Sequence, residues 1–116
     1  MTEAATAERP YTIEHREVVA ETPQLRVSVL TLGPGQLVPW HCHSQVTDTF
    51  FCLEGEIRVE TRAPRGAFRL KPGERCAVGP KHAHEVTNAG SGRARFLIVQ
   101  GIGTYDYIPV GGAAKA

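Results

Sequence analysis

The run Gly35-Gln-Leu-Val-Pro-Trp-His41-Cys42-His43-Ser-Gln-Val-Thr-Asp48-Thr-Phe50-Phe51-Cys52-Leu53-Glu-Gly55 decides how this chain reads. It holds two strand-like segments, Gln36 to His43, interrupted by Pro39, and Asp48 to Leu53, closed by Glu54-Gly55. Side chains at i and i+2 of a strand share a face. His41 and His43 therefore aim two imidazoles at one place, and Cys42 points away from them. By the same parity Phe50 and Cys52 accompany Asp48, while Phe51 and Leu53 pack on the opposite side. A second pair, His82-Ala83-His84, lies further along, and four of the five histidines fall in the two pairs. Imidazoles and a carboxylate inside a small β-fold make a transition-metal site.

Outward from this run, the alternation continues in short segments. Leu25 to Leu32 alternates and meets the Gly33-Pro34-Gly35 turn. Glu56 to Thr61 alternates most cleanly, with Ile57, Val59 and Thr61 on one face. Ala67 to Leu70, Arg75 to Val78, His84 to Thr87, Arg93 to Gln100 and Tyr105 to Ile108 complete the set. No amphipathic helix of three turns is visible. Many short strands joined by Gly and Pro turns predict an all-β sandwich or barrel, a jelly roll.

The 116 residues suit one domain, expected over 11–110, with a flexible segment at 1–10 and a disordered tail at 111–116. The 13 Lys and Arg against 12 Asp and Glu give a net charge of +1 and no electrostatic reason for a nucleic-acid partner. No apolar run is long enough to span a bilayer, and the opening residues lack a signal-like apolar region. Three cysteines without zinc-ribbon spacing fit a reducing interior, so the cytoplasm is the expected location. The arginines Arg58, Arg62, Arg65, Arg69 and Arg75 read as a solvated hairpin and its flanks, although an Arg reaching a substrate carboxylate is open.

Taken together, the residues resemble the cupin family, in its small single-domain, conserved-barrel form. The first cupin motif runs Gly, five residues, His-x-His, three or four residues, Glu, six residues, Gly. Here Gly35, His41, His43, Asp48 and Gly55 stand at those spacings, with Asp48 in place of Glu. The second runs Gly, five residues, Pro-x-Gly, two residues, His, three residues, Asn. Gly73, His84 and Asn88 match it, while Gly79 stands where Pro is expected and Lys81 where Gly is expected. The resemblance implies a six- to eight-stranded double-stranded β-helix with a metal at its mouth. The implied ligands are His41, His43, Asp48 and His84, and the implied cofactor a divalent transition metal such as Fe, Mn, Ni or Zn.

Several roles remain open at this level. Asp48 is one methylene shorter than Glu and reaches about 1.5 Å less far. It is a ligand, an orienter of a ligand histidine, or a general base. His82 is expected at the rim, as a substrate-facing or proton-shuttling catalytic residue or an exposed-loop histidine. Phe50 and Cys52 are expected to line the substrate pocket or to be ordinary core. Cys42 reads as a small buried Cys, Cys76 as core, His15 as surface, and Trp40 as a rim or dimer residue.

Three functions survive the sequence. One is an oxygenase using Fe or Mn with O2. Another is an isomerase or lyase using the metal as a Lewis acid. The alternative is a non-catalytic binder of a small molecule. A homodimer is implied, with Tyr11 to Val19 the candidate for covering a sheet edge in the partner.

Overall fold

The alternation along the chain becomes ten strands in the computed structural model, which describes residues 11–111. They are β1 (His15–Thr22), β2 (Leu25–Leu32), β3 (Leu37–Cys42), β4 (Thr47–Glu54), β5 (Ile57–Thr61), β6 (Gly66–Leu70), β7 (Arg75–Val78), β8 (His84–Asn88), β9 (Ala94–Gly101) and β10 (Ile108–Pro109). Two antiparallel five-stranded sheets result, in the orders β1-β2-β9-β4-β7 and β10-β3-β8-β5-β6. The fold is the expected all-β double-stranded β-helix, and no helix occurs among the described residues. The segment expected to be flexible at 1–10 and, Gly111 apart, the tail expected at 111–116 lie outside the described residues.

Ten strands exceed the six to eight expected, for two reasons. β1 is exposed along nearly its whole length, so its sequence carries no alternating buried face. It pairs with β2 of its own chain along the edge of the first sheet. β10 is only two residues long and begins where the expected strand Tyr105 to Ile108 ends.

The core forms from the inward faces of the two sheets, as parity requires. Ile57, Val59 and Thr61 are buried, and Phe50 and Phe96 meet at 5.8 Å between ring centroids in the middle. The motif residues outside the site serve the frame. Gly55 sits at φ +74°, and a side chain there would run into the Arg93 carbonyl. Asn88 donates from its amide to the carbonyls of Leu32, Gly33 and Gly92 and accepts from the Gly90 N–H, tying β8 to two turns.

The middle of the first sheet's outer face is largely apolar, with charge at its edges. One row crosses it as Ala20, Val27, Val99, Thr49 and Ala77; the next as Glu17, Val29, Leu97, Phe51 and Arg75. Phe51 and Leu53 do point opposite to Phe50, but they face outward, and Leu53 is 44% exposed.

Candidate metal centre

Pro39 has no N–H to give the ladder, and the pairing of β3 with β8 slips between Val38 and His41 before resuming with His41 opposite His84. That slip places His41 and His84 side by side on the inward face. His43 follows one residue after β3, and its carbonyl accepts the Lys81 N–H at 2.7 Å. Asp48 arrives from the opposite sheet, on β4. The side chains of His41, His43, Asp48 and His84 are all buried, and their candidate ligand atoms lie within 4.8 Å of one another.

The surrounding carbonyls fix the three rings. His41 Nδ1 donates to the Pro39 carbonyl at 2.7 Å, His84 Nδ1 to the His82 carbonyl at 2.9 Å, and His43 Nδ1 to the Asp106 carbonyl. A carbonyl can only accept, so each Nδ1 carries the proton, and each neutral ring presents a bare Nε2 lone pair. Asp106 is itself held, its carboxylate accepting the Ser44 N–H and hydroxyl at 2.9 and 2.6 Å. On the other side, Gln100 Nε2 donates to Asp48 Oδ1 at 3.0 Å.

Asp48 Oδ2 then lies 2.9 Å from both His43 Nε2 and His84 Nε2. With neutral rings these are acceptors facing an acceptor, an arrangement stable only with a cation among them. Protons supply one solution and a divalent metal the other. Ligands at right angles on an ion with bonds of about 2.1 Å would stand about 3.0 Å apart, close to the 2.9 Å of the two Asp48 Oδ2 contacts. The donor set therefore fits a transition metal, with the carbonyl-anchored Nδ1 groups as the customary outer partners. The shorter Asp48 side chain reaches the group, so Asp for Glu does not remove the carboxylate from the site.

The electrostatics agree. Burial, then the neighbouring His84, drive His41 down to about 3, so its ring stays neutral. For His43, burial works downward as the largest single influence. The Asp48 hydrogen bond and charge, with the Asp106 carbonyl, outweigh it and raise the ring above its ordinary value. Burial pushes Asp48 upward, yet the hydrogen bonds with His43 and His84 leave it well below the usual carboxylate range.

A cavity of about 20 Å³ adjoins His41 and Asp48, also lined by Phe50, Gln100, Tyr105 and Tyr107. It has room for about one water molecule. Tyr107 stacks on His41 with ring centroids 4.5 Å apart, and its buried hydroxyl finds no partner among the described residues.

Comparison with known proteins supplies the family. The cupin domain family model matches residues 28–100, well over half of the chain. This chain is a cupin. No curated protein sequence matches it significantly. Among solved structures, it is similar to an uncharacterized conserved protein with a double-stranded β-helix domain from Klebsiella pneumoniae. That protein is 27% identical, with 82% of each chain covered and a TM-score of 0.71. KdgF from Halomonas sp. is 18% identical, covering 83% of this chain and 90% of that one, at a TM-score of 0.66. An oxalate oxidase is 17% identical at a TM-score of 0.70; 77% of this chain is covered, and the match spans 47% of that chain. At the latter two identities the likeness concerns the fold.

Within this cupin, the other residues singled out from sequence divide. Phe50 lines the cavity and meets His84 edge-on at 6.0 Å. Cys52 faces the same way but lies deeper, its thiol near the carbonyls of Glu54 and Gly55 and away from the cavity lining. Burial raises Cys76 to about 11, in keeping with a thiol packed against the core. His82 stands outside the four-residue group. Its ring Nε2 donates to the Pro64 carbonyl at 3.1 Å, and its own carbonyl orients His84. The reason is local: Lys81 adopts φ +64°, a left-handed turn, and β8 begins only at His84, so strand parity does not extend back to His82. Trp40 carries the Arg62 guanidinium 3.7 Å from its ring centroid.

Gln100, Asp106, Tyr105 and Tyr107 were not singled out. Parity along β9 (Ala94, Phe96, Ile98, Gln100, all buried) was a usable signal for Gln100. The tyrosines and Asp106 lie on a connection whose course no local pattern reveals.

Proposed function

We propose that this cupin is a metal-dependent enzyme acting on a small organic metabolite. His41, His43, Asp48 and His84 hold a divalent ion such as Fe, Mn, Ni or Zn through three Nε2 atoms and one carboxylate oxygen. The observation that carries the proposal is the convergence of four buried acceptors whose remaining hydrogen-bonding positions are already occupied. Asp48 is assigned as a ligand rather than a base because Gln100 and the two rings engage both its oxygens. A bound ion of this kind supplies either O2 activation or polarisation of a substrate carbonyl. The chain's own groups do the rest. Phe50 and the aromatic cover of Tyr105 and Tyr107 limit water at the site, and the unpartnered Tyr107 hydroxyl is placed to donate to a substrate oxygen.

The proposal includes a homodimer, supported by the largely apolar middle of the first sheet's outer face, which a second copy would cover. It also places the protein in the cytoplasm, supported by three free cysteines. Among the described residues no helix is long and apolar enough to cross a membrane.

Elemental analysis of protein purified without added metal tests the centre: about one transition-metal ion per chain is expected, and none in the His84→Ala variant. Oxygen uptake by Fe-loaded protein with candidate substrates then separates oxygenase from isomerase or lyase. Metal-free protein that stays metal-free on incubation with each of the four ions overturns the reading.

A further inference from the structure

Beside the metal centre runs a polar row that the centre does not use up. Arg26 on β2 is the cross-strand partner of Gln100 on β9, and Gln100 is the partner of Asp48 on β4. Neighbouring strands lie about 4.8 Å apart, so Arg26 stands about 10 Å from Asp48 across the inward face, within reach of its own long side chain. A second cavity, of about 240 Å³, opens here, lined by Arg26, Gln100 and Tyr105 among others. Gln100 and Tyr105 line both cavities, so the larger space lies across that shared wall from the small cavity at His41 and Asp48.

Arg26 is short of partners. Its Nε is buried and unpaired among the described residues, and its guanidinium lies 4.5 Å from the Tyr105 ring centroid. The arginines that find carboxylates, Arg58, Arg69, Arg93 and Arg95, form their pairs elsewhere. Glu21, opposite Arg26 on β1, lines the same cavity but makes no ion pair with it. Arg16 adds a second cation at the smaller cavity, its guanidinium donating to the Tyr11 hydroxyl at 2.6 Å. A half-buried, aromatic-backed guanidinium whose buried Nε has no acceptor among the described residues is matched by a planar anion that offers two oxygens.

We propose that Arg26 is the anion-recognising residue of this site and that the site takes a small organic carboxylate, gripped by Arg26 at one end and facing Gln100, the residue that donates to Asp48, at the other. A carboxylate is favoured over phosphate because Arg26 is the single cation among the described residues that line the cavity. The inference deepens the metal-enzyme reading and rests on it for the identity of the other end.

The test is calorimetric titration of the full chain, of measured metal content, with malonate, its neutral analogue malonamide, and inorganic phosphate at constant ionic strength. Malonate is expected to bind, and malonamide and phosphate at least tenfold more weakly. Arg26→Gln should weaken malonate about 10- to 100-fold with metal content unchanged. Arg26→Lys, which keeps the charge without the fork, should fall between and carries the test if the Gln variant does not fold. Arg58→Gln, on the surface, should bind as the parent does. Malonate binding that ignores Arg26, equal binding of malonamide, a preference for phosphate, or no binding by metal-loaded protein overturns the inference. Wild-type protein that takes up no metal overturns the metal reading instead, so the two failures are distinguishable.

Discussion

Asp48→Asn separates the two roles that a buried carboxylate combines. In the structure Asp48 Oδ2 faces His43 Nε2 and His84 Nε2 at 2.9 Å, and Oδ1 accepts from Gln100 at 3.0 Å. An asparagine in the same rotamer keeps its oxygen on Gln100 and turns an NH2 group, with two hydrogens, toward two bare lone pairs. Every hydrogen bond is then satisfied without a cation, and a buried charge is gone. Replacing buried ionic groups by satisfied neutral ones is close to neutral for stability. The metal-free variant should therefore stay within about 1 kcal/mol of the metal-free parent, a Tm change below about 8 °C for a domain of this size. Metal affinity should collapse, because the only anionic donor is lost and the amide hydrogens now occupy the ion's place. Disturbing outer partners alone costs 10–100-fold, so at least about 100-fold, or about 2.7 kcal/mol, is expected here. Calorimetry with Zn and with Mn, together with melting of chelator-treated samples at pH 8, reads both quantities. At pH 8 the His43 proton, favoured by Asp48 in the parent, is given up at least cost. Retained affinity would show that Asp48 is not a ligand. A loss of about 3–5 kcal/mol in the metal-free state, the signature of a broken buried ion pair, would refute the account of satisfied amide bonds.

Chelation itself should lower Tm: at free metal 100 times Kd the ion contributes about 2.7 kcal/mol, or roughly 10–20 °C, and a melt with and without chelator measures it. In metal-free protein, stability should peak near pH 6.5. Below that, His41, held near 3, refuses a proton that the unfolded chain accepts, so stability falls by about 1.4 kcal/mol per pH unit down to pH 3. Above it, the raised His43 contributes stability that is lost as pH rises through its folded value; in urea melts across pH 4–9 a steady rise would contradict the His43 limb and a steady fall the His41 limb. Lys81→Gly should stabilise the fold by about 0.5–1 kcal/mol, because φ +64° suits glycine, and an unchanged urea midpoint would count against strain at that turn. Phe50→Ala should cost about 3–5 kcal/mol, read from the same melts, since the ring is buried between Phe96 and His84.

The strands that carry the site were legible because each half of it obeys a local rule. His41 and His84 sit on strands with a buried face, and the spacing from Gly35 to Gly55 counts out two strands and a turn. The carboxylate's role was not legible, since one methylene decides reach and only the placement of β4 decides whether reach suffices. His82 illustrates the converse. Its pairing with His84 is a sequence regularity that the left-handed Lys81 and the late start of β8 remove from the structure. β1 was expected only as the run Tyr11 to Val19 offered to a partner's sheet edge, because a strand exposed along nearly its whole length leaves no periodic trace of its pairing with β2. Asp106, Tyr105 and Tyr107 escaped because long-range closure brings them in: Asp106 meets His43 and Ser44 from more than sixty positions away.

The site also joins what the chain builds separately. His41 and His84 belong to the sheet containing β3 and β8, whereas Asp48, Gln100 and Arg26 belong to the sheet containing β4, β9 and β2. Apart from the Asn88 bond to the Leu32 carbonyl, the sheets meet mainly through apolar packing, which is non-directional and leaves their relative position adjustable by small shifts. Two contacts of 2.9 Å across that gap, from Asp48 Oδ2 to His43 Nε2 and His84 Nε2, need a proton or an ion between them, and they set the separation at one end of the sandwich. An ion bound there would cross-link the two layers. The row Arg26–Gln100–Asp48 runs across three adjacent strands of one layer, so any movement of that layer shifts the anion-recognising group and the carboxylate together. Ligand geometry and anion geometry are thereby coupled through the sheet's own ladder rather than through a flexible loop, which is what a small site needs to hold both ends of a small molecule in register.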